Sequence, residues 1–349
     1  MITVYHLLVE AIERAASDLH LTQNAPPILR IDGSLELLDL PPLSSSDTQS
    51  MIYSLLNDAQ KAKFEEMWEL DLSIELADVG RFRVNVHRQR GAVEAAFRVV
   101  QDNIRTLRQL GLPPVTEEIA RKTSGLILVT GPTGSGKTTT LAAMIQQVNT
   151  EQSRMIITVE DPIEFIHRNR KSIIKQREVT SDTHSFSAAL RHVLRQDPDV
   201  VVIGEMRDLE TISTALTAAE SGHLVFATIH TPDAVQTVDR IIDVFPPHQQ
   251  QQVRMQFASC VQAIVAQTLL PIPGGRGRVP ACEILIATVG VRNVIRNAKT
   301  EQLNTVMQTN YDMGMITMDK SLKNLYQQGL ISYDDAISHS KFPESFDAI

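Results

Sequence analysis

Apolar residues recur along this chain with two different rhythms, and the change between them divides it in two. Val4, Leu7, Leu8, Ala11, Ile12 and Ala15 stand at helical spacing, which predicts an amphipathic first helix. Short runs follow at 18–21 and 28–31. The pair Asp32-Gly33 then signals a hairpin, with 35–38 returning. His20, on the first of these strands, is expected to be structural. Residues 47–56 and 59–68 read as two helices, and 72–76 and 81–87 as a second hairpin turning at Val79-Gly80. In that hairpin Phe82, Val84 and Val86 alternate with Arg81, Arg83, Asn85 and His87, so one face is apolar and the other basic. Gly91 turns the chain into a last strand, 92–100, which carries Arg98. Residues 1–100 are therefore expected to form a small α/β domain around an antiparallel sheet.

Beyond them the rhythm changes. Residues 101–113 are polar and end in Gly111, Leu112, Pro113 and Pro114, the composition of a linker. From 114 to 349 the strand-like runs are continuously apolar: 126–130, 155–159, 200–203 and 224–229. Helices are expected from 137, over 185–195 and over 209–221. This βα alternation predicts a parallel sheet covered on both faces, the RecA-like form of the P-loop fold. From Asp233 onward the pattern reads as mostly helical, broken by a glycine-rich stretch at 274–277 and a strand at 279–286.

Composition narrows this picture only in places. The 349 residues suffice for two or three domains, and 43% hydrophobic and 21% charged content are ordinary for a globular protein. Glu10 and Glu13 interrupt the first helix, so it is not expected to be a signal peptide, and no run approaches membrane-spanning length. Cys260 and Cys282 make neither a disulfide framework nor a zinc site, which suits a cytoplasmic enzyme without zinc. The net charge of −8 speaks against nucleic acid as a partner.

The candidate chemistry gathers at the ends of the apolar runs. The first run enters Gly131-Pro132-Thr133-Gly134-Ser135-Gly136-Lys137-Thr138, which fits the phosphate-loop pattern G-x-x-x-x-G-K-S/T, with Thr139 next in the helix. Its glycines let successive amides face phosphate oxygens at a helix N-terminus. Lys137 is expected to reach the β- and γ-phosphates of ATP, and the Thr138 hydroxyl to ligate Mg²⁺. The run 155–159 ends in Glu160, Asp161, Pro162, Ile163 and Glu164. Glu160 is the first candidate for orienting the attacking water and Glu164 the second, while Asp161 shapes the turn. The run 200–203 ends in Gly204-Glu205, an acid placed as a Walker B carboxylate for Mg²⁺. His223 and His230 flank the run 224–229, and His230, at its carboxyl end, is the better placed to sense the γ-phosphate.

These four motifs, GPTGSGKTTTLAAM, ITVEDPIEF, DPDVVVIGEMRDLETI and GHLVFATIHT, resemble the secretion ATPase superfamily and, within it, the PilT-type retraction ATPases of type IV pili. The likeness runs from ASDLHL near the start to GMITMDKSLKNL and GLIS near the end. It implies a homohexameric ring, a PAS-like N-terminal domain, and arginines from that domain, here Arg83 and Arg98, completing a neighbouring ATP site. It also implies work against an inner-membrane pilus platform protein, alone or beside a paralogous retraction ATPase. Extension and type II secretion ATPases resemble the core too, but carry a longer N-terminal region and a four-cysteine zinc motif that this sequence lacks. A RecA-like nucleic-acid motor, the other P-loop alternative, would show basic loops that are not visible here. The retraction motif AIRNLIRE corresponds to GVRNVIRN at 290–297, where Asn297 replaces the terminal acid. Val291, Val294 and Ile295 would share a buried face of a helix there, with Arg292 and Arg296 projecting from another.

Overall fold

The computed structural model describes residues 3–346 apart from 32, 78, 101, 102, 275 and 276. The chain separates into two compact units: 1–102 with 164–166, and 103–163 with 167–349.

In the first unit α1 (Val4–Glu13) buries Val4, Leu7, Leu8 and Ala11 as the spacing predicts. The helix stops before Ala15, which takes a left-handed φ of 53° and is exposed, so Ala16 is the alanine that enters the core. Strands β1 (Asp18–Leu21), β2 (Ile28–Ile31) and β3 (Ser34–Leu37) follow; the hairpin signal's Asp32 lies outside the described residues. Helices α2 (Ser45–Tyr53) and α3 (Asp58–Met67) start where the side chains of Ser44 and Asn57 each accept a backbone N–H, while their own N–H groups donate to the Asp47 and Gln60 side chains. These caps set both starts ahead of the expected 47 and 59. Trp68, at a φ of 62°, ends α3. Strands β4 (Glu69–Leu76), β5 (Gly80–Gln89) and β6 (Ala92–Val100) complete an antiparallel sheet in the order β3-β2-β1-β6-β5-β4. Phe82, Val84, Val86 and Phe97 line its buried face with Leu8, Leu19 and Phe64. On the other face Arg83 and Arg98 stand directly opposite each other on β5 and β6.

The second unit opens inside the expected linker. Leu107 and Leu112 are buried against the central sheet, so the segment from 103 on is packed structure; 101 and 102 lie outside the described residues. Next come α4 (Val115–Ala120), β7 (Gly125–Thr130), α5 (Lys137–Glu151), β8 (Met155–Glu160), β9 (Ile173–Glu178), α6 (Phe186–Val193), β10 (Val200–Ile203), α7 (Leu209–Glu220), β11 (Leu224–Ile229), α8 (Ala234–Asp243) and α9 (Pro247–Cys260). The chain continues as β12 (Val261–Pro271), β13 (Arg278–Ile286), α10 (Val289–Arg296), α11 (Leu303–Thr309), α12 (Met318–Gln327) and α13 (Tyr333–Ser338).

The seven strands order as β13-β12-β7-β11-β10-β8-β9, all neighbours parallel except β12 and β13. Two of these strands depart from the sequence reading. β9, at the edge, carries Lys175, Gln176 and Arg177, and an edge strand with a solvated side has no continuous apolar run. β12 falls where mostly helix was expected. It is buried on both faces and follows α9 without a loop, so neither alternation nor a turn residue marks it. The expected strand at 279–286 is β13, and Gly275 and Arg276 of the glycine-rich stretch lie outside the described residues.

Alternate strand residues feed two cores. Leu126, Leu128, Ile157 and Val225 meet α6 to α11, whereas Ile127, Val129, Ile156 and Phe226 meet α4 and α5. Among the described residues no helix is long and apolar enough to cross a membrane. Both cysteines are buried and unpaired, and burial pushes each thiol up to about 12.

In α10, Val291 and Ile295 are buried and Val294 half-buried, the predicted face. Arg292 does not project with Arg296. Its Nη1 donates to the carbonyls of Ala258 and Ser259, at 2.6 and 2.7 Å, in the last turn of α9. Those carbonyls lack intrahelical donors, and a cation there also meets the negative end of the dipole. Arg292→Ala is expected to cost about 2 kcal/mol of charged hydrogen bonding. That should lower the thermal midpoint by roughly 4–8 °C in a unit of this size, measured by differential scanning fluorimetry. An unchanged midpoint would contradict the capping role.

Candidate nucleotide site

β7 is buried over its whole length and flanked by β11 and β12, so its carboxyl end delivers the loop 131–136 to the rim of the sheet. Gly131, Gly134 and Gly136 all take left-handed φ values. A Cβ on Gly131 would lie 2.3 Å from the Gln267 carbonyl and 2.6 Å from Ser135 Oγ; here only glycine fits. Gln267, on β12, is 1% exposed and grips the loop with its side chain as well. Its Nε2 donates to the Ser135 carbonyl at 2.7 Å, and its Oε1 accepts from Thr140 Oγ1, in the first turn of α5, at 2.9 Å. Sequence reading missed this residue because it missed β12. The available signal was Gln267, the second of two amides in the apolar run VQAIVAQTLL, since a buried amide needs partners.

The mouth of the loop fits an anion. No side chain caps α5, so its first amides are open, and Gly136 stands at the cap. Ser135 Oγ is buried without a partner, while Pro132, Thr133, Gly134 and Thr138 are exposed and Thr139 is half-buried. Lys137 folds over the loop, its Nζ donating to the carbonyls of Gly131 and Pro132 at 2.8 and 3.0 Å. Burial pulls its ammonium below the usual range, with Glu205 opposing. Such a lysine has its own partners until an anion offers better ones.

The neighbouring strand ends supply the acids. Gly204 lets the tips of β8 and β10 close together; a Cβ there would be 3.2 Å from Glu160 Cα. Glu160 Oε1 accepts from Thr158 Oγ1 at 2.6 Å and from Gln176 Nε2, on β9, at 3.1 Å, which fixes the carboxylate's direction. Glu205 lies between Arg207 Nη2 at 2.7 Å and His230 Nε2 at 3.2 Å. Burial works to raise the Glu205 carboxyl, but the hydrogen bond and charge of Arg207, with the hydrogen bond from His230, outweigh it and hold the group below the usual carboxylate range. His230 Nδ1 is 3.4 Å from Lys137 Nζ. A neutral imidazole carrying its proton on Nε2 satisfies both neighbours, accepting from Lys137 and donating to Glu205. Lys137, His230, Glu205 and Arg207 thus form one polar chain beside the loop, and the oxygen donors Thr138 and Glu205 suit a hard cation such as Mg²⁺.

The remaining candidates lie elsewhere. His223 is at the amino end of β11, its ring nitrogen Nδ1 3.0 Å from Ser221 Oγ and 3.1 Å from the Ala218 carbonyl. Glu164 belongs to the first unit and Glu160 to the second. Glu164 accepts from Arg83 Nη1 at 2.7 Å, and Arg98 Nε donates to Asp18 at 2.9 Å.

The family described as Type II/IV secretion system protein matches residues 1–337. The chain is 46% identical over 343 residues to the type IV pilus retractation ATPase PilT of Pseudomonas aeruginosa, covering 98% of this chain and 99% of that protein. It is 40% identical over 334 residues to the type IV pilus ATPase PilU of the same organism, covering 96% and 87%. Among solved structures it is similar to the pilus retraction motor PilT with bound ADP, at 48% identity and a TM-score of 0.92, with both chains covered in full.

Replacing Gln267 tests the loop's brace. Gln267→Leu keeps the volume but strands the Ser135 carbonyl and the Thr140 hydroxyl, a penalty of about 1–3 kcal/mol. If it falls on the loop, nucleotide affinity should drop roughly tenfold, read by titration with a fluorescent ATP analogue. Wild-type affinity would show that the loop holds its shape without the amide.

Proposed function

Because the chain belongs to the type II/IV secretion system protein family, we propose that it is an ATP-hydrolysing motor that drives retraction of type IV pili by disassembling pilin. The observation that carries this is the polar chain from Lys137 through His230 to Glu205 beside the phosphate loop. The near full-length similarity to a retraction ATPase supplies the cellular role. In this reading residues 131–139 enclose the phosphates of ATP, and Lys137 exchanges its loop carbonyls for the β- and γ-phosphates. Thr138 and Glu205 would hold Mg²⁺, which supplies charge neutralisation on the transferred phosphate. Glu160, already aimed by Thr158 and Gln176, orients the attacking water. His230 reports the γ-phosphate to Glu205. His223, at the far end of β11, and Glu164, held by Arg83, are given lesser parts.

Arg83 and Arg98 would be supplied to the site by a neighbouring subunit of a homohexamer, which the PAS-like unit of residues 1–100 would help to assemble. Their in-register pairing on one sheet face supports this. The ring would act on the cytoplasmic side of the inner membrane, against a pilus platform protein. Asn297, whose Nδ2 donates to the Asn293 carbonyl at 2.9 Å in place of the motif's acid, favours one other reading, an accessory partner of a principal retraction ATPase. Turnover by the isolated protein would exclude that reading.

Lys137→Ala should abolish hydrolysis, and Arg98→Ala should cut it on the order of 10³-fold while nucleotide still binds. Mixing the two inactive proteins should restore part of the activity in a phosphate-release assay, because some interfaces then pair an intact loop with an intact arginine. No recovery in mixed rings would remove the arginine from the site.

Arg296, exposed near the end of α10 and free of the capping duty of Arg292, tests coupling. Arg296→Ala is expected to keep ATP turnover within about twofold, as for a surface change, while twitching motility is lost. Retained motility would rule out this part of α10 as the transmission element.

A further inference from the structure

The turn that carries His230 out of β11 is held at its other end by charges unrelated to nucleotide. His230, Thr231, Pro232 and Asp233 link β11 to α8. Asp233 is 5% exposed; its Oδ1 accepts from Gln236 N at 2.8 Å, capping α8. Glu283, from β13, is 1% exposed, and its Oε1 accepts from Ala234 N at 2.8 Å. Two carboxylates therefore share the first turn of one helix. Between them stands Lys341, from the segment after α13, its Nζ 2.9 Å from Asp233 Oδ2 and 3.9 Å from Glu283 Oε2. The lysine is itself placed by Asp319 of α12, which accepts from Lys341 N at 2.8 Å and from Ser340 Oγ at 2.9 Å.

We propose that Lys341 is a positioning residue for ATP hydrolysis: its ammonium neutralises the buried pair Asp233 and Glu283, and so fixes the turn that sets His230 against Glu205. Two like charges cannot both persist buried and unpaired. Without the lysine one of them must take up a proton or the turn must open. The charged groups facing Glu283 are Asp233 from the turn before α8 and Lys341 from the C-terminal segment, with Asp319 of α12 acting through Lys341. Burial raises the Glu283 carboxyl, Lys341 and the Ala234 N–H oppose the rise, and Asp233 adds to it. Burial works against the Lys341 ammonium, yet Glu283 and Asp233 outweigh it and raise the group.

The sign of the pH effect follows. Removing Lys341 takes away the charge that opposes the rise at Glu283, so this carboxyl then protonates at a higher pH. Protonation leaves one buried charge instead of two, and the turn should close again. In the purified full chain, Lys341→Met is expected to lower kcat about tenfold at roughly pH 8, a displacement effect of the kind a misplaced group causes. KM for ATP should change less than twofold, and kcat should recover as the pH is lowered. Lys341→Arg should keep most of the activity. Glu283→Gln, which retains an acceptor for Ala234 N, should turn over normally, and Lys341→Met in that background should cost less than twofold.

A wild-type kcat and pH profile for Lys341→Met would overturn the proposal. So would a loss that is equal at every pH, or a tenfold loss that persists in the Glu283→Gln background, which remains measurable if the single variant does not fold. The inference rests on the ATPase reading, and the two fail differently. Absence of ATPase activity in the wild type would sink that reading, whereas an active wild type with an unaffected Lys341→Met would sink only this one.

Discussion

A buried amide with no neighbour to spare decides the shape of the loop on which the site depends. Gln267 joins the Ser135 carbonyl to the Thr140 hydroxyl, and its own carbonyl passes so close to Gly131 that no side chain could stand there. The loop's curvature is therefore set by β12 as much as by its own glycines. Glycine only permits the left-handed turns; a fixed partner selects one of the many conformations that it permits.

The same logic governs the charges around the loop. Each ionisable group drawn from water has a partner across a strand end: Lys137 with the loop carbonyls and His230, Glu205 with His230 and Arg207, Glu160 with Thr158 and Gln176. Asp233, Glu283 and Lys341 repeat the arrangement at the far side of the His230 turn. In a low-dielectric rim such chains are held in register by the cost of leaving any member unpaired.

In the first unit the constraint is different. Its apolar face is closed by Phe64, Phe82 and Phe97, and what it offers in return is a face on which Arg83 and Arg98 meet in register. Both find carboxylates, Glu164 and Asp18; solvent screens the pair of Arg98, whose side chain is 64% exposed, more than that of Arg83, at 33%.

Much of this was legible from residues alone. The strands 126–130, 155–159, 200–203 and 224–229 announce themselves because a strand buried on both faces is a continuous apolar run, and the loop motif follows the first of them in sequence. The acids and the histidine at the carboxyl ends were legible for the same reason: each lies within two residues of the end of its apolar run. The tertiary structure alone decided the rest. β9 hid because an edge strand is half polar, and β12 because it has no alternation and no turn before it. With β12 went Gln267, and with β13's partner across the chain went Lys341, since residues far apart in sequence become a site only through the fold. Arg292 and Arg296 look equivalent at helical spacing, yet one caps α9 and the other faces solvent. Local sequence sets which face of a helix a residue occupies; which neighbour comes to that face is settled by packing between elements that no local pattern records.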